Sequence, residues 1–479
     1  MSYVLYGLLA LFVLWLAVIL IRAAAFRPKP QPETDQTPVE FDRDAAVRNL
    51  AELIRCKTIS YNDPTLEDDA QFSKLISMLP TLYPRVFDVC SVQQLPDRAL
   101  LFRWPGKYDA APTVLMAHYD VVPVDEAKWD KPPFAAVIED GVLWGRGTLD
   151  TKGTFNGVLE AADNLIAQGF VPANDLFLAF GGDEEISGDG APAIVRWFQQ
   201  QHITPAFVLD EGGAVVENVF PGVKVPCAVV GTGEKGPMDV KLTLRTSGGH
   251  ASTPPPHSPV GILAQAVNRI ESHPFPFTLT APAAEMFDTL GRRSTFLYRL
   301  IFANLWCFKP VLNLICRMSG GELNALVRTT VAFTQMQGSA ASNVLPPEAW
   351  VGANMRLICG ETVDGAKAYL EKVIANPNIK VDVVMGMSPS RISRTDDEPF
   401  QRLSKAIRGT WTDAVVSPYL MLACSDSRHY GVLSDHVYRF SAMALTKEER
   451  GLIHGNNERI PLGTIVKTVA FYQRLMRGC

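Results

Sequence analysis

The chain reads as an α/β protein: a mostly parallel sheet with helices on both faces, interrupted by an inserted α+β domain and preceded by a membrane helix. Three observations predict this. Short apolar runs alternate with helical patterns over residues 41–236 and again over 386–479, as a parallel sheet with covered faces requires. Over 237–385 the pattern changes to polar–apolar alternation, which suits half-exposed antiparallel strands. Residues 1–21 carry no charged side chain and are rich in Leu, Val, Ile, Phe and Trp.

Composition narrows the function classes. Of the 479 residues, 47% are hydrophobic and 20% charged, a globular balance that excludes wholesale disorder. The net charge of −5 without a basic run argues against a nucleic-acid partner. Eight cysteines, at 56, 90, 227, 307, 316, 359, 424 and 479, are scattered without a CxxC spacing. That excludes a zinc ribbon and a dense disulfide framework, leaving room for one or two bridges.

The N-terminal apolar run, about 21 residues at about 1.5 Å each, is long enough to cross the hydrocarbon of a bilayer. A cleaved signal peptide is the competing reading, with Ala23-Ala24-Ala25 as the cleavage site. The missing basic n-region and the length of the run favour an uncleaved single-pass anchor over residues 1–25. Arg22, Arg27 and Lys29 follow it, which by the positive-inside rule points the main domain to the cytoplasm. That rule is weakest for one anchor with few charges, so orientation stays open. Residues 26–40, with four prolines, read as a linker.

The first α/β part, 41–236, carries helical spacing at 44–54 and 69–83. Strand-like runs at 99–103 and 113–117 follow, the second leading into His118-Tyr119-Asp120. Residues 141–144 lead into a glycine-rich loop with Asp150, then a helix over 154–168. An apolar run at 176–180 ends at Gly181-Gly182-Asp183-Glu184-Glu185 and precedes a helix over 191–200. A strand at 206–209 ends at Asp210-Glu211-Gly212-Gly213. In the insert, 239–245 and 351–357 alternate, and helices are predicted at 260–270 and 363–374. Residues 296–318 are apolar but broken by Arg299, Lys309 and Pro310, which favours a buried or interfacial amphipathic hairpin over a second span. The α/β pattern resumes with helices near 400–409 and 464–476, separated by a 424–430 turn and by His454 in a 452–460 segment.

His118, Asp150, the Glu184–Glu185 pair and Asp210 each fall just beyond a predicted strand or in the loop after it. In open α/β sheets such loops converge in the crevice outside the strand C-termini. Singly, His118 reads as a core histidine, Asp150 as a cap, Asp210 as a turn former and the glutamates as an acidic helix start. Together they read as a metal centre. Nitrogen and carboxylate donors without cysteine suit zinc, with manganese or cobalt as substitutes. With His454 the set is too large for one ion and fits two that share a carboxylate, a neighbouring glutamate serving as general base.

The motifs MAHYDVVP (116–123), GRGTLDTKG (145–153), GGDEE (181–185), LDEGG (209–213), GGHAS (248–252), SNVLP (342–346) and IHG (453–455) are similar, in order and spacing, to those of a co-catalytic zinc metallopeptidase family. That family includes glutamate carboxypeptidase, aminoacylase, succinyl-diaminopimelate desuccinylase, carnosinase and yeast carboxypeptidase S. The likeness runs from residue 41 to the end. HYDVVP, DSRHY and IHG…ERI, with the anchor, point to the carboxypeptidase S branch, which also holds secreted N-fatty-acyl-amino-acid enzymes.

The resemblance implies two Zn2+ per subunit, His118 and Asp210 on one and Glu185 and His454 on the other, with Asp150 between. It implies Glu184 as general base and acid and Asp120 as the carboxylate orienting His118. It further implies that the insert is a lid and dimerisation domain whose His250 reaches the site of the other subunit in a homodimer and steadies an oxyanion. Asn343 and Arg356 would bind substrate, Arg356 by bidentate pairing with a terminal carboxylate, and Arg428 is a second carboxylate candidate. Two departures stand out. Thr151 follows Asp150 where many relatives carry an acid, and Ala423-Cys424-Ser425 stands where a Gly-Gly-Thr turn is common.

The expected chemistry is hydrolysis of an amide next to a free carboxylate, in dipeptides, N-acetyl amino acids or N-fatty-acyl amino acids. The apolar 296–318 segment and the anchor favour a lipidic acyl group. An oxidoreductase is disfavoured by the absence of GxGxxG after a first strand. A membrane-anchored binding protein that has lost catalysis on the same scaffold is the alternative, opposed by the completeness of the ligand set.

Overall fold

A computed structural model describes residues 2–32 and 34–479; Met1 of the expected anchor and Glu33 of the expected linker lie outside the described residues. The central sheet has eight strands. In spatial order they are Ser91–Gln94, Leu100–Trp104, Asn174–Gly181, Tyr108–His118, Phe207–Val216, Val437–Leu445, Cys227–Glu234 and Val415–Met421. The three strands Asn174–Gly181, Tyr108–His118 and Phe207–Val216 run parallel with Val437–Leu445, while the first two strands form an antiparallel edge. The inner strands are buried on both faces, so they read as continuous apolar runs such as LFLAF, without alternation.

Helices cover both faces. On one, Lys152–Ala167 lies between Arg43–Ile54 and Leu462–Met476 and is buried almost all round. On the other, Ile194, Val195 and Phe198 of Gly190–Gln200 join a core with Val114, Met116 and Phe177. Caps set the entry points: the Asp42 carboxylate accepts from the Ala45 N–H at 2.9 Å at the start of Arg43–Ile54.

A second, four-stranded antiparallel sheet has the order Thr330–Gln337, Glu348–Leu357, Gly236–Arg245, Ile379–Gly386. Helices Pro259–Ser272 and Val363–Ile374 close its separate core, built on Val240, Leu242, Leu263, Met355 and Leu370. The expected insert 237–385 contributes to both cores. Helix Ala281–Gly291 and the pair Phe296–Phe302 and Leu305–Ser319 send Met286, Phe287, Leu290, Phe302 and Leu312 into the core of the large sheet. Helical spacing tells that a face is apolar; it does not tell which of two sheets receives it.

Residues 296–318, expected as a hairpin, form two helices bent by 109°. Pro310 sits inside the second of them. Helix Ser2–Ala25 precedes the domain and is exposed over most of its length. All eight cysteines are free thiols.

Candidate active site

The loops that carry His118, Asp150 and the Glu184–Glu185 pair meet at the C-terminal end of Tyr108–His118, Asp150 coming from the loop after Val142–Trp144 of a separate three-stranded antiparallel sheet. His118 closes Tyr108–His118, and its backbone is locked to the neighbouring loop. The Thr151 hydroxyl accepts from the His118 N–H and donates to its carbonyl, both at 3.0 Å. Thr151, fully buried, therefore ties the Asp150 loop to the strand end, and a cis peptide joins it to Asp150.

Asp150 stands between two imidazoles. Its Oδ1 is 3.1 Å from His118 Nε2 and its Oδ2 is 3.0 Å from His454 Nε2. Glu185 Oε2 is 3.1 Å from His454 Nε2, and its other oxygen, Oε1, is buried without a hydrogen-bond partner among the described residues. His118 Nε2 also faces Glu211 Oε1 at 3.5 Å and Glu184 Oε2 at 4.0 Å. Donor atoms of His118, Asp150 and Glu185, and separately of His118, Glu184 and Glu211, lie within 4.8 Å of one another.

Asp120 explains how the two halves hold together. It is fully buried; its backbone carbonyl meets His118 Nδ1 at 3.0 Å, and its carboxylate Oδ1 lies 3.2 Å from the same nitrogen. The same carboxylate accepts from the Glu184 N–H at 3.2 Å, the Glu185 N–H at 3.1 Å and the Ser60 hydroxyl at 2.8 Å. One residue thus aims the imidazole, through its carbonyl and its carboxylate, and pins the turn that carries both glutamates. The glycines before them are demanded by crowding: a Cβ on Gly182 would lie 2.7 Å from the Tyr119 hydroxyl, and one on Gly181 2.7 Å from Asp426 Oδ2.

Asp210 is corrected by this geometry. Its Oδ1 accepts from the Glu211 N–H at 2.9 Å and its Oδ2 from the Ser427 N–H at 2.8 Å. The oxygen that faces His118 belongs to Glu211. Successive side chains of a strand point to opposite sides, so only one of two adjacent acids in Phe207–Val216 can enter the cluster. The LDEGG motif contained both candidates, and its register on the strand decides between them.

Sequence reasoning also missed Glu458 and Asp426. Glu458 is fully buried and accepts from Arg146 Nη1 at 2.6 Å, the Gly147 N–H at 3.1 Å and the Leu149 N–H at 2.8 Å. Arg146 in turn donates through Nη2 to the carbonyls of His454 at 3.3 Å and Gly455 at 2.9 Å. This pair joins the loop carrying Asp150 to the turn carrying His454. The available signal was the acid four residues after His454 in IHGNNERI.

Electrostatically the cluster is overloaded with acid. Burial pushes the Glu184 carboxyl well above its ordinary value, and Glu211, Asp426 and Glu185 add to that against the opposing pull of His118. Glu211 is likewise raised, by burial and by Asp150 and Asp210. Asp426 is raised by burial and by Asp210 and Asp183. Hydrogen bonds to Asp150 and Glu185 lift His454 to about 10. Burial opposes a charged His118, but Asp120, Asp150 and Glu211 outweigh it. Carboxylates this close repel one another unless cations intervene, and the oxygen and nitrogen donor set with its orphaned Glu185 oxygen fits divalent metal.

The expected substrate residues are placed differently from one another. Arg356, in Glu348–Leu357 of the second sheet, donates to Cys424 Sγ at 3.0 Å, so that sheet reaches the turn after Val415–Met421. Arg428 has a partner inside the protein: its Nε lies 3.8 Å from Glu234 Oε1. Glu234 also takes Arg439 Nε at 3.2 Å and the Ser425 N–H at 3.1 Å, so Arg428 belongs to a buried ion cluster beneath the turn, although its Nη2 has no hydrogen-bond partner among the described residues. His250 and Asn343 are exposed. They sit on the two-residue ladder that pairs His250 with Val344, where the Asn343 carbonyl accepts from the Ala251 N–H at 2.9 Å.

The family model described as peptidase family M20/M25/M40 matches residues 114–478. A Dictyostelium discoideum protein named probable carboxypeptidase S-like 2 is 34% identical, covering 98% of this chain and 93% of its own length. A Xenopus tropicalis protein named N-fatty-acyl-amino acid synthase/hydrolase PM20D1 is 36% identical, covering 97% and 93%. Among solved structures, human carnosine dipeptidase 1 superposes with a TM-score of 0.64 at 14% identity, covering 91% of this chain and 96% of its own. The Sulfolobus solfataricus M20 family metallo-carboxypeptidase Sso-CP2 gives 0.64 at 17% identity, covering 90% and 98%. At these identities the solved structures speak for the fold alone.

Proposed function

The chain belongs to the peptidase family M20/M25/M40 and is a metal-dependent peptidase or amidohydrolase; from that premise we propose that it hydrolyses an amide next to a free carboxylate, using two zinc ions. The observation that carries the two-ion reading is Asp150, one oxygen toward His118 and the other toward His454. His118 and Glu211 would hold one ion, His454 and Glu185 the other, with Asp150 shared. Bound there, the ions would supply Lewis acidity and bring a water within reach of deprotonation at neutral pH.

The chain's own residues do the rest. Glu184 takes the proton of the attacking water and returns it to the leaving amine nitrogen. Asp120 keeps His118 aimed and the Glu184–Glu185 turn in register. Arg356 offers a guanidinium for the substrate carboxylate. His250, exposed on its ladder, is the oxyanion donor for the site of a second subunit in a homodimer. The substrate class is an N-acyl amino acid or a short peptide with a free C-terminus, a choice supported by the names its relatives carry.

A panel varying acyl chain length against amino acid, run on zinc-loaded enzyme, tests this reading. Turnover confined to substrates with a free carboxylate is expected. Equal rates on the corresponding amides would remove the arginine clamp, and zinc binding without any turnover would favour the anchored binding protein. The helix Ser2–Ala25 is proposed as an uncleaved anchor, and full-length chain released from membranes by alkaline carbonate would refute that.

A further inference from the structure

We propose that the bent helix pair Phe296–Phe302 and Leu305–Ser319 is a second membrane contact, dipping into the same leaflet that the N-terminal helix leaves, so that the catalytic domain lies on the bilayer. The proposal rests on the reading of Ser2–Ala25 as a bilayer-spanning helix. Its starting point is where the two elements meet. Asn304, at the bend, donates through Nδ2 to the carbonyl of Ile19 at 3.1 Å. Arg22 donates through Nε and Nη2 to the Ala303 carbonyl at 3.2 and 3.1 Å. Higher on the same face, Trp15 meets Phe308 at a ring-centroid distance of 6.4 Å. Ile19 and Ala23 are buried by these contacts.

Depth follows from helix geometry. A helix rises about 1.5 Å per residue, and a bilayer hydrocarbon core is about 30 Å thick. If the helix spans from its N-terminus, its exit lies near Arg22, and Trp15 sits about 10 Å inside that boundary. A helix that touches Trp15 and Ile19 cannot then remain in water. It must enter the leaflet.

The surface of the bent pair has the chemistry for that position. Leu297, Trp306, Val311, Leu314, Ile315 and Met318 are exposed, Leu297 at 71% and Met318 at 79%, a density of exposed large apolar side chains that soluble surfaces seldom carry. At the bend the Ile19 and Ala303 carbonyls are met by Asn304 and Arg22, which lowers the cost of placing them in lipid. From Thr289 to Gly321 there is no acidic residue, while Arg292, Arg293, Arg299, Lys309 and Arg317 lie within that stretch. Apolar residues between basic ones are the composition of an interfacial element on an anionic leaflet.

The test uses the full chain reconstituted in vesicles of phosphatidylcholine and phosphatidylglycerol. An environment-sensitive fluorescent amino acid is incorporated in separate samples at the positions of Leu9, Leu314 and Val384, the last exposed on the second sheet. Quenching by acyl-chain-brominated lipid is then read. Loss of most of the emission at the Leu314 position, with the Val384 position unaffected, is expected. An unquenched probe at the Leu314 position overturns the proposal, and so does crosslinking of a photoreactive amino acid placed there to a second copy in place of lipid. The Leu9 position separates the two readings: quenching there with none at Leu314 leaves the anchor standing and removes the second contact, whereas no quenching at Leu9 removes the anchor itself.

Discussion

Asp150 faces His454 across 3.0 Å, Oδ2 to Nε2, while its other oxygen lies 3.1 Å from His118. A carboxylate shared in this way should couple two ions. Asp150→Asn keeps the volume and is expected to lower zinc content at both positions, whereas His454→Ala should lower it by one ion per chain. Elemental analysis of purified protein decides. Unchanged zinc in the His454 variant would remove it from the ligand set.

Glu184, Asp210 and Glu211 can be told apart. Glu184→Gln should keep its metal and lose on the order of 10²–10⁴ in kcat, the usual worth of a general base. Glu211→Gln should lose metal, because its oxygen faces His118. Asp210→Asn should retain metal and instead loosen the turn at Ser427, whose N–H it holds at 2.8 Å. Loss of zinc in the Asp210 variant with none in the Glu211 variant would restore the assignment drawn from the sequence.

Zinc uptake should release protons. With no cation present, hydrogen bonds to Asp150 and Glu185 hold the His454 imidazole protonated up to about pH 10. A ligating imidazole must be neutral, so affinity should rise with pH through neutrality. Calorimetry in buffers of different ionisation enthalpy reads the proton count, and a buffer-independent heat would contradict the expectation.

The Arg146–Glu458 pair should be costly to break from one side. Both partners are buried, and Glu458 serves several N–H groups of the Asp150 loop at once. Removing one partner of such a pair costs on the order of 3–5 kcal/mol. Glu458→Gln should therefore lower the unfolding midpoint and the metal affinity together. A variant with normal stability and weak metal binding would mean that the pair positions the loop without supporting the fold.

Stability should also respond to Glu160, far from the cluster. Burial raises its carboxyl to about 7, against the opposing hydrogen bonds from Asn49 and Asn164. The folded state then binds this proton more tightly than the unfolded chain does. Its contribution is present below the unfolded value, near 4.5, and fades as pH rises through about 7. Glu160→Gln should flatten that part of the pH–stability profile, measured by denaturant titration. An unchanged slope would assign it to another group.

The legible parts of this protein are those written in local patterns. The helix at 363–374, with Thr362 accepting from the Gly365 N–H at 3.0 Å, begins and ends where its spacing predicts. The strand leading to His118 was visible because its apolar run stops at a polar triplet. The strands Cys227–Glu234 and Val437–Leu445 carry no such punctuation: they are buried almost throughout and show neither alternation nor helical spacing. The sequence alone determined the class of the protein, a covered parallel sheet with acids and histidines at its strand ends, because burial and turn chemistry act over a few residues. Tertiary structure decided which oxygen faces which nitrogen. Glu211 rather than Asp210 turns to His118, Glu458 reaches the Asp150 loop, and the bent helices meet the N-terminal helix, because the first depends on strand register and the other two on contacts between residues about 300 positions apart.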